Sequence, residues 1–333
     1  MLTGDLVDLI ESIYALESSD REWLAGIAGR ARTVFGEHDV GAYGLTYDAS
    51  DVTDCRFSTV VFAGVQSPEL RRILSADTPA AFRASPTDVE AIFRRTPYGP
   101  SRALPATGPV RKIIERQTRI GVEILGLNGV NVDGRGAHVG VLVPVRAAGR
   151  SVSPELLARV SSHLAAAYRL RARVRSGSRP ERAEAILRPD GTIDHAEGPA
   201  KLSGAREELA RAAIRIDRLR SSSRRRDPQR AIETWKALVD ARWSLVDHFE
   251  KDGTRYLLAQ RNDPEVAHIA LLSERERQVV ALAAIGHHDK MIAYELGISG
   301  STARVLLSRA ARKLGARTRA ELIAAHQRAA RRQ

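Results

Sequence analysis

Between residues 299 and 314 the chain sorts its side chains by chemistry. Ala303, Leu307, Ala310 and Leu314 recur at helical spacing and form one apolar stripe. The remaining surface carries Ser301, Thr302, Arg304, Val305, Ser308, Arg309 and Arg312. Small polar groups and guanidinium groups on the outer face of a helix suit entry into a nucleic-acid major groove, which is about 12 Å wide. The first turn of such a helix also offers unpaired backbone NH groups to a phosphate.

That helix has to be held by neighbours, and the flanking sequence supplies them. Ser273 and Glu276 have the spacing of a capping box at the start of one helix, whose buried side is Val279, Val280, Leu282 and Ala283. Gly286 stands where a left-handed residue ends it. A second helix is expected over about Asp289–Leu296, with Gly297 as its stop, and the third begins at the N-cap Ser299 and stops at Gly315. Three short helices with a tight Gly297–Ser299 turn have the spacing of a helix-turn-helix.

Charge points the same way. The 333-residue chain has a formal net charge of +12. From residue 266 onward, 12 Lys and Arg stand against 5 Asp and Glu, which concentrates more than half of the excess in the last fifth. A basic segment of that kind favours a polyanionic partner. Cys55 is the only cysteine, which excludes an intramolecular disulfide and a cysteine metal cage. The amino terminus lacks a basic region followed by an apolar run, and no segment approaches membrane-spanning length, so a cytoplasmic location and no membrane are expected.

Enzymatic patterns are missing: no phosphate-loop motif, no nucleophile elbow and no H-E-x-x-H. His287 and His288 form a pair without nearby thiols and read as part of a solvated turn, so no metal and no cofactor are expected. The glycine-rich stretch Gly129–Gly136 joins two strands with no helix after it, which makes it a hairpin and not a nucleotide cradle.

Breaker-rich stretches at Ser176–Pro180 and Asn262–Pro264 divide the chain into three blocks, giving a multidomain protein with expected domains at 1–175, 181–262 and 266–333. The first reads as two helices (Leu6–Leu16, Arg21–Phe35), strands Val40–Tyr47 and Arg56–Ala63, and short helices broken by Pro68, Pro79 and Pro86. A helix Pro109–Arg119, strands Val122–Val130 and Ala137–Val145, and a long helix from Pro154 complete it. The second reads as a hairpin around Asp190-Gly191, helices at Ala200–Arg220 and Pro228–Asp240, and a hairpin around Asp252-Gly253. Arg224–Arg226 reads as a solvated loop, with an auxiliary phosphate contact as the alternative.

The third block resembles the LuxR-type DNA-binding domain of bacterial regulators. The matching residues are Leu272, Ser273, Glu276, Val279, Gly286, Lys290, Ile292, Ala293, Leu296, Ile298, Ser299, Thr302, Lys313, Leu314, Gly315 and Arg319, spaced without insertion. The first block resembles a GAF domain and the second a reduced PAS domain, both α+β. The resemblance implies an all-α four-helix DNA-binding domain, a transcription regulator and a homodimer on double-stranded DNA. It implies no enzyme.

On that resemblance, Lys290, Thr302 and Lys313 contact phosphates. Arg304 meets a guanine and Val305 a thymine methyl, with Ser308 as a further base contact and Arg309 and Arg312 as an auxiliary basic surface. A fourth helix from Arg319 would dimerise through Leu322, Ile323 and Ala325. Ala303 stands where the family has valine, and Leu306 where it often has histidine, which leaves the operator sequence open. His288 and Met291 are also unusual for the family. The first two blocks would bind an unknown small molecule or serve only for dimerisation and docking. The alternative whole-chain reading is a signalling or docking protein whose helix-turn-helix binds DNA non-specifically or binds a protein.

Overall fold

A computed structural model describes residues 6–16, 18–36, 41–93, 98–131, 133–145, 152–175, 183–220, 243–249, 255–261 and 272–330. The chain forms two compact units, Met1–Tyr168 and Arg169–Gln333.

The first unit is built on a five-stranded antiparallel sheet. Its strands are β1 (Ala42–Asp48), β2 (Arg56–Ala63), β3 (Tyr98–Pro100), β4 (Val122–Val130) and β5 (Arg135–Pro144), in the order β2-β1-β5-β4-β3. Helices α1 (Leu6–Ile13) and α2 (Asp20–Phe35) precede the sheet. Ser19 and Glu22 start α2 with a reciprocal capping box.

The pleat assigns the two faces. Gly44 on β1 faces α2, where an added Cβ would meet Leu24 at 3.3 Å. Gly129 on β4 faces α7 (Pro154–Arg175) on the same side, with Ala165 N only 2.6 Å from where its Cβ would stand. Tyr43, Leu45 and Tyr47 alternate to the other face. There they join a core with residues of α5 (Pro86–Phe93) and α6 (Gly108–Arg119), including Val89, Phe93, Val110 and Ile114. Leu157, Val160 and Leu164 of α7 are buried as their spacing predicts.

The prolines of the connecting segment behave differently from expectation. Pro68 starts α3 (Pro68–Arg72) and Pro86 starts α5, but Pro79 interrupts nothing. Residues Ile73–Asp77 form a π-turn that leads directly into α4 (Thr78–Arg83). In the π-turn the Thr78 NH donates to Ile73 O, five residues back. The wider turn accommodates a residue with no NH of its own at position 79.

The second unit holds a four-stranded antiparallel sheet of β6 (Ala185–Leu187), β7 (Ile193–Ala196), β8 (Trp243–Phe249) and β9 (Arg255–Arg261), in the order β7-β6-β9-β8. Asp190-Gly191 makes the expected tight turn, with Gly191 at φ 90°. Helix α8 (Ser203–Arg220) follows β7. The helix expected at Pro228–Asp240, the arginines at 224–226 and the Asp252-Gly253 turn lie outside the described residues. The same unit ends in α9 (Glu274–Ala284), α10 (Asp289–Leu296), α11 (Gly300–Lys313) and α12 (Arg319–Ala330). Among the described residues no helix is long and apolar enough to cross a membrane.

Candidate nucleic-acid interface

Helix α9 begins as its sequence predicts. Ser273 Oγ accepts from Glu276 N at 3.3 Å, and Ser273 N donates to Glu276 Oε2 at 2.8 Å. The same carboxylate oxygen accepts from Lys313 Nζ at 2.7 Å, so one buried side chain ties the start of α9 to the end of α11. The Lys313 ammonium, followed by the Ser273 donors, holds the Glu276 carboxyl below the usual carboxylate range.

The turn from α9 into α10 contains what the sequence did not show. Gly286 takes φ 89° as expected. His287, however, is buried and its Nε2 lies 2.8 Å from Glu295 Oε1 on α10. His288 is the N-cap of α10, its Nδ1 accepting from Met291 N at 3.4 Å. Accepting through Nδ1 requires an imidazole without a proton there. Desolvation first, then His287 and Lys290, hold His288 below its ordinary value. The solvated turn expected of this pair holds for His288, which is exposed and starts α10, and is corrected for His287, which is buried and braces α10. No pattern in the sequence connects His287 to a glutamate eight residues away across a turn.

Gly297 ends α10 at φ 62° and ψ 36°, and Ile298 N donates back to Ala293 O at 3.0 Å. This left-handed residue fixes the angle at which α11 leaves. Ser299 then caps α11, accepting from Thr302 N at 3.0 Å and sharing hydroxyl bonds with Ser301 and Thr302 at 2.7 and 2.8 Å. Ala303, Leu307 and Ala310 are buried, and Leu314 is half-buried. Thr302, Arg304, Val305, Ser308, Arg309 and Arg312 are all exposed on α11, Val305 by 48% despite its apolar side chain. Lys290, at the start of α10, is exposed as well.

Most basic residues of these four helices fall into two sets. Arg275 donates to Gln278, Arg277 to Leu272 O, Lys313 to Glu276, and Arg319 to both Asp289 and His287 O at 2.6 Å. Those cations brace the helices. Lys290, Arg304, Arg309 and Arg312 form no ion pair with another described residue. Of the residues expected to meet DNA, then, Lys313 alone is engaged by a carboxylate of its own domain, which the spacing could not reveal. On α12, Leu322 is buried in its own unit, while Ile323 and Ala325 are half-buried. Leu322 is therefore not available for the dimer contact expected of it. Among the described residues no cluster of His, Cys, Asp or Glu could hold a metal ion.

Residues 270–325 match the family model of the bacterial regulatory proteins, luxR family. That match defines the C-terminal region as a LuxR-family helix-turn-helix domain, the DNA-binding type of a transcription regulator. No curated protein matched the chain.

Proposed function

We propose that the protein is a sequence-specific DNA-binding transcription regulator that acts as a homodimer and takes a sensory input through its N-terminal part. The observation that carries this reading is the separation of the basic residues, with Lys313 and Arg319 paired within the domain and Arg304, Arg309 and Arg312 exposed without an ion pair to another described residue on one helix. In this reading α11 enters the major groove. Arg304 donates to a guanine, Val305 meets a thymine methyl, and Ser308 makes a weaker base contact. Lys290 and Thr302 contact phosphates, Lys313 reaches a phosphate only through the hydrogens not given to Glu276, and Arg309 and Arg312 add a basic flank.

The three-domain division at 1–175, 181–262 and 266–333 belongs to the same proposal, with a GAF-like first domain and a reduced PAS-like second. Two antiparallel sheets, the first with helices on both faces, support it. The test is selection of bound genomic DNA by the full-length protein. An enriched palindromic site with half-sites about 34–36 Å apart is expected from a two-fold dimer. Recovery of DNA without an enriched sequence would replace this reading with non-specific binding, and failure to retain DNA would point to a protein partner.

A further inference from the structure

The face of the first sheet opposite α2 has an unusual row of residues. In register across four strands stand Tyr43 on β1, Gly140 on β5, Gly126 on β4 and Gly99 on β3. Directly paired residues of an antiparallel sheet point to the same face, so three consecutive positions of this row lack a side chain. The Tyr43 ring lies over the first of them, and a Cβ on Gly140 would collide with Tyr43 Cε1. A Cβ on Gly126 would meet only the edge of the His138 ring and Gly99 O, at 3.1 and 3.4 Å, and a Cβ on Gly99 would meet nothing within 4 Å. The missing side chains leave a partly open cavity of about 80 Å³, roofed by residues of α4, α5 and α6.

The lining states the chemistry. Phe57, Phe82, Phe93, Leu74, Ile92 and Ile114 give apolar walls, and among the described residues no Asp, Glu, Lys or Arg lines the cavity. His138 stands beside Gly126 in the floor with its Nε2 3.1 Å from Tyr43 Oη, and burial pushes it down to about 4, so at neutral pH it contributes no charge. A carboxylate, phosphate or ammonium entering here would leave water with no opposite charge to meet it. Thr78 Oγ1, at the point where the π-turn becomes α4, is buried in the lining with no hydrogen-bond partner among the described residues. A buried hydroxyl without a partner is costly, and π-turns concentrate at functional positions.

We propose that the N-terminal unit binds a small uncharged molecule of one or two rings with a hydrogen-bonding group, seated on Gly126 and Gly99 and bonded to Thr78. This deepens the sensory part of the proposed function and rests on it only for any consequence at the DNA. The probe is 2-naphthol, uncharged at neutral pH, compared with 2-naphthoate, which has the same rings and a negative charge. Titration is into the full-length protein without DNA and is followed by fluorescence.

Saturable 2-naphthol binding is expected, at least about tenfold tighter than 2-naphthoate. Thr78→Val should weaken it several-fold. Gly126→Val, which fills the floor, should abolish it, and Ile113→Trp does so from the opposite wall if the first variant does not fold. Lack of saturation up to about 1 mM overturns the proposal. So does equal binding of the two probes, or unchanged binding by a filled variant with a wild-type circular dichroism spectrum. Because DNA takes no part, failure here leaves the DNA-binding reading standing, and failure of that reading leaves the cavity to be judged on its own.

Discussion

Lys313→Met separates two roles for the lysine at the end of α11, a brace inside the domain or a contact to phosphate. Its Nζ donates to Glu276 Oε2 at 2.7 Å, with the carboxylate 4% and the lysine 43% exposed. Hydrogen bonds to charged groups contribute about 1.5–3 kcal/mol, and half-exposure of one partner moves the figure down, so a coupling of about 1–2 kcal/mol is expected. Measurement requires a cycle of Lys313→Met, Glu276→Gln and the double variant in the full-length protein. Hydrogen exchange along α9 is the readout, and loss of 1–2 kcal/mol there corresponds to roughly 5–30-fold faster exchange.

The sign of the pH dependence follows from the direction of the shift. Glu276 is held below its ordinary value, by Lys313 first, so its contribution is present above the unfolded carboxylate value and is lost as pH falls through the folded one. Protection of α9 should therefore drop on acidification below about pH 4 in the wild type and much less in Glu276→Gln. A coupling of zero would refute the brace, particularly if Lys313→Met flattened the salt dependence of DNA binding by about 0.9 in log–log slope, the value of one lost phosphate contact.

Two further predictions concern the scaffold. Gly297→Ala places a Cβ on a residue at φ 62° and should cost about 1–2 kcal/mol, read as faster exchange in α10 and α11. His138, held down to about 4 by burial, is neutral in the folded unit while the unfolded chain takes up a proton at its ordinary 6.5. The first unit should thus lose up to about 3 kcal/mol as pH falls from 6.5 toward 4. In His138→Phe, melting of that unit should become flatter over the same range.

What was legible in the sequence was local. The Ser273–Glu276 capping box, the stops at Gly286, Gly297 and Gly315, and the inward triplet Ala303, Leu307 and Ala310 all depend on residues within a few positions of one another. Short-range hydrogen bonding and helical periodicity are enough to read them. Strand alternation likewise located β1, β2, β4 and β5 to within a few residues.

Features joining distant residues stayed hidden. Lys313 reads as a phosphate ligand until α11 brings it against Glu276, 37 positions away. Pro79 reads as a break because a π-turn has no sequence signature. Gly99, Gly126 and Gly140 are unremarkable singly and become a cavity floor only through strand register. His288 reads as a loop residue because imidazole is an uncommon N-cap, and here geometry at Nδ1 replaces the usual hydroxyl or carboxylate.

The central claim is that α11 reads DNA sequence through Arg304. Its most direct test compares wild type and Arg304→Ala on the selected site and on variants of that site changed one base pair at a time, at fixed salt. A loss of about 1–3 kcal/mol on the selected site is expected, with disappearance of discrimination at one guanine position and preferences elsewhere retained. An equal loss on every sequence, with all preferences intact, would assign Arg304 to the phosphate backbone and contradict it.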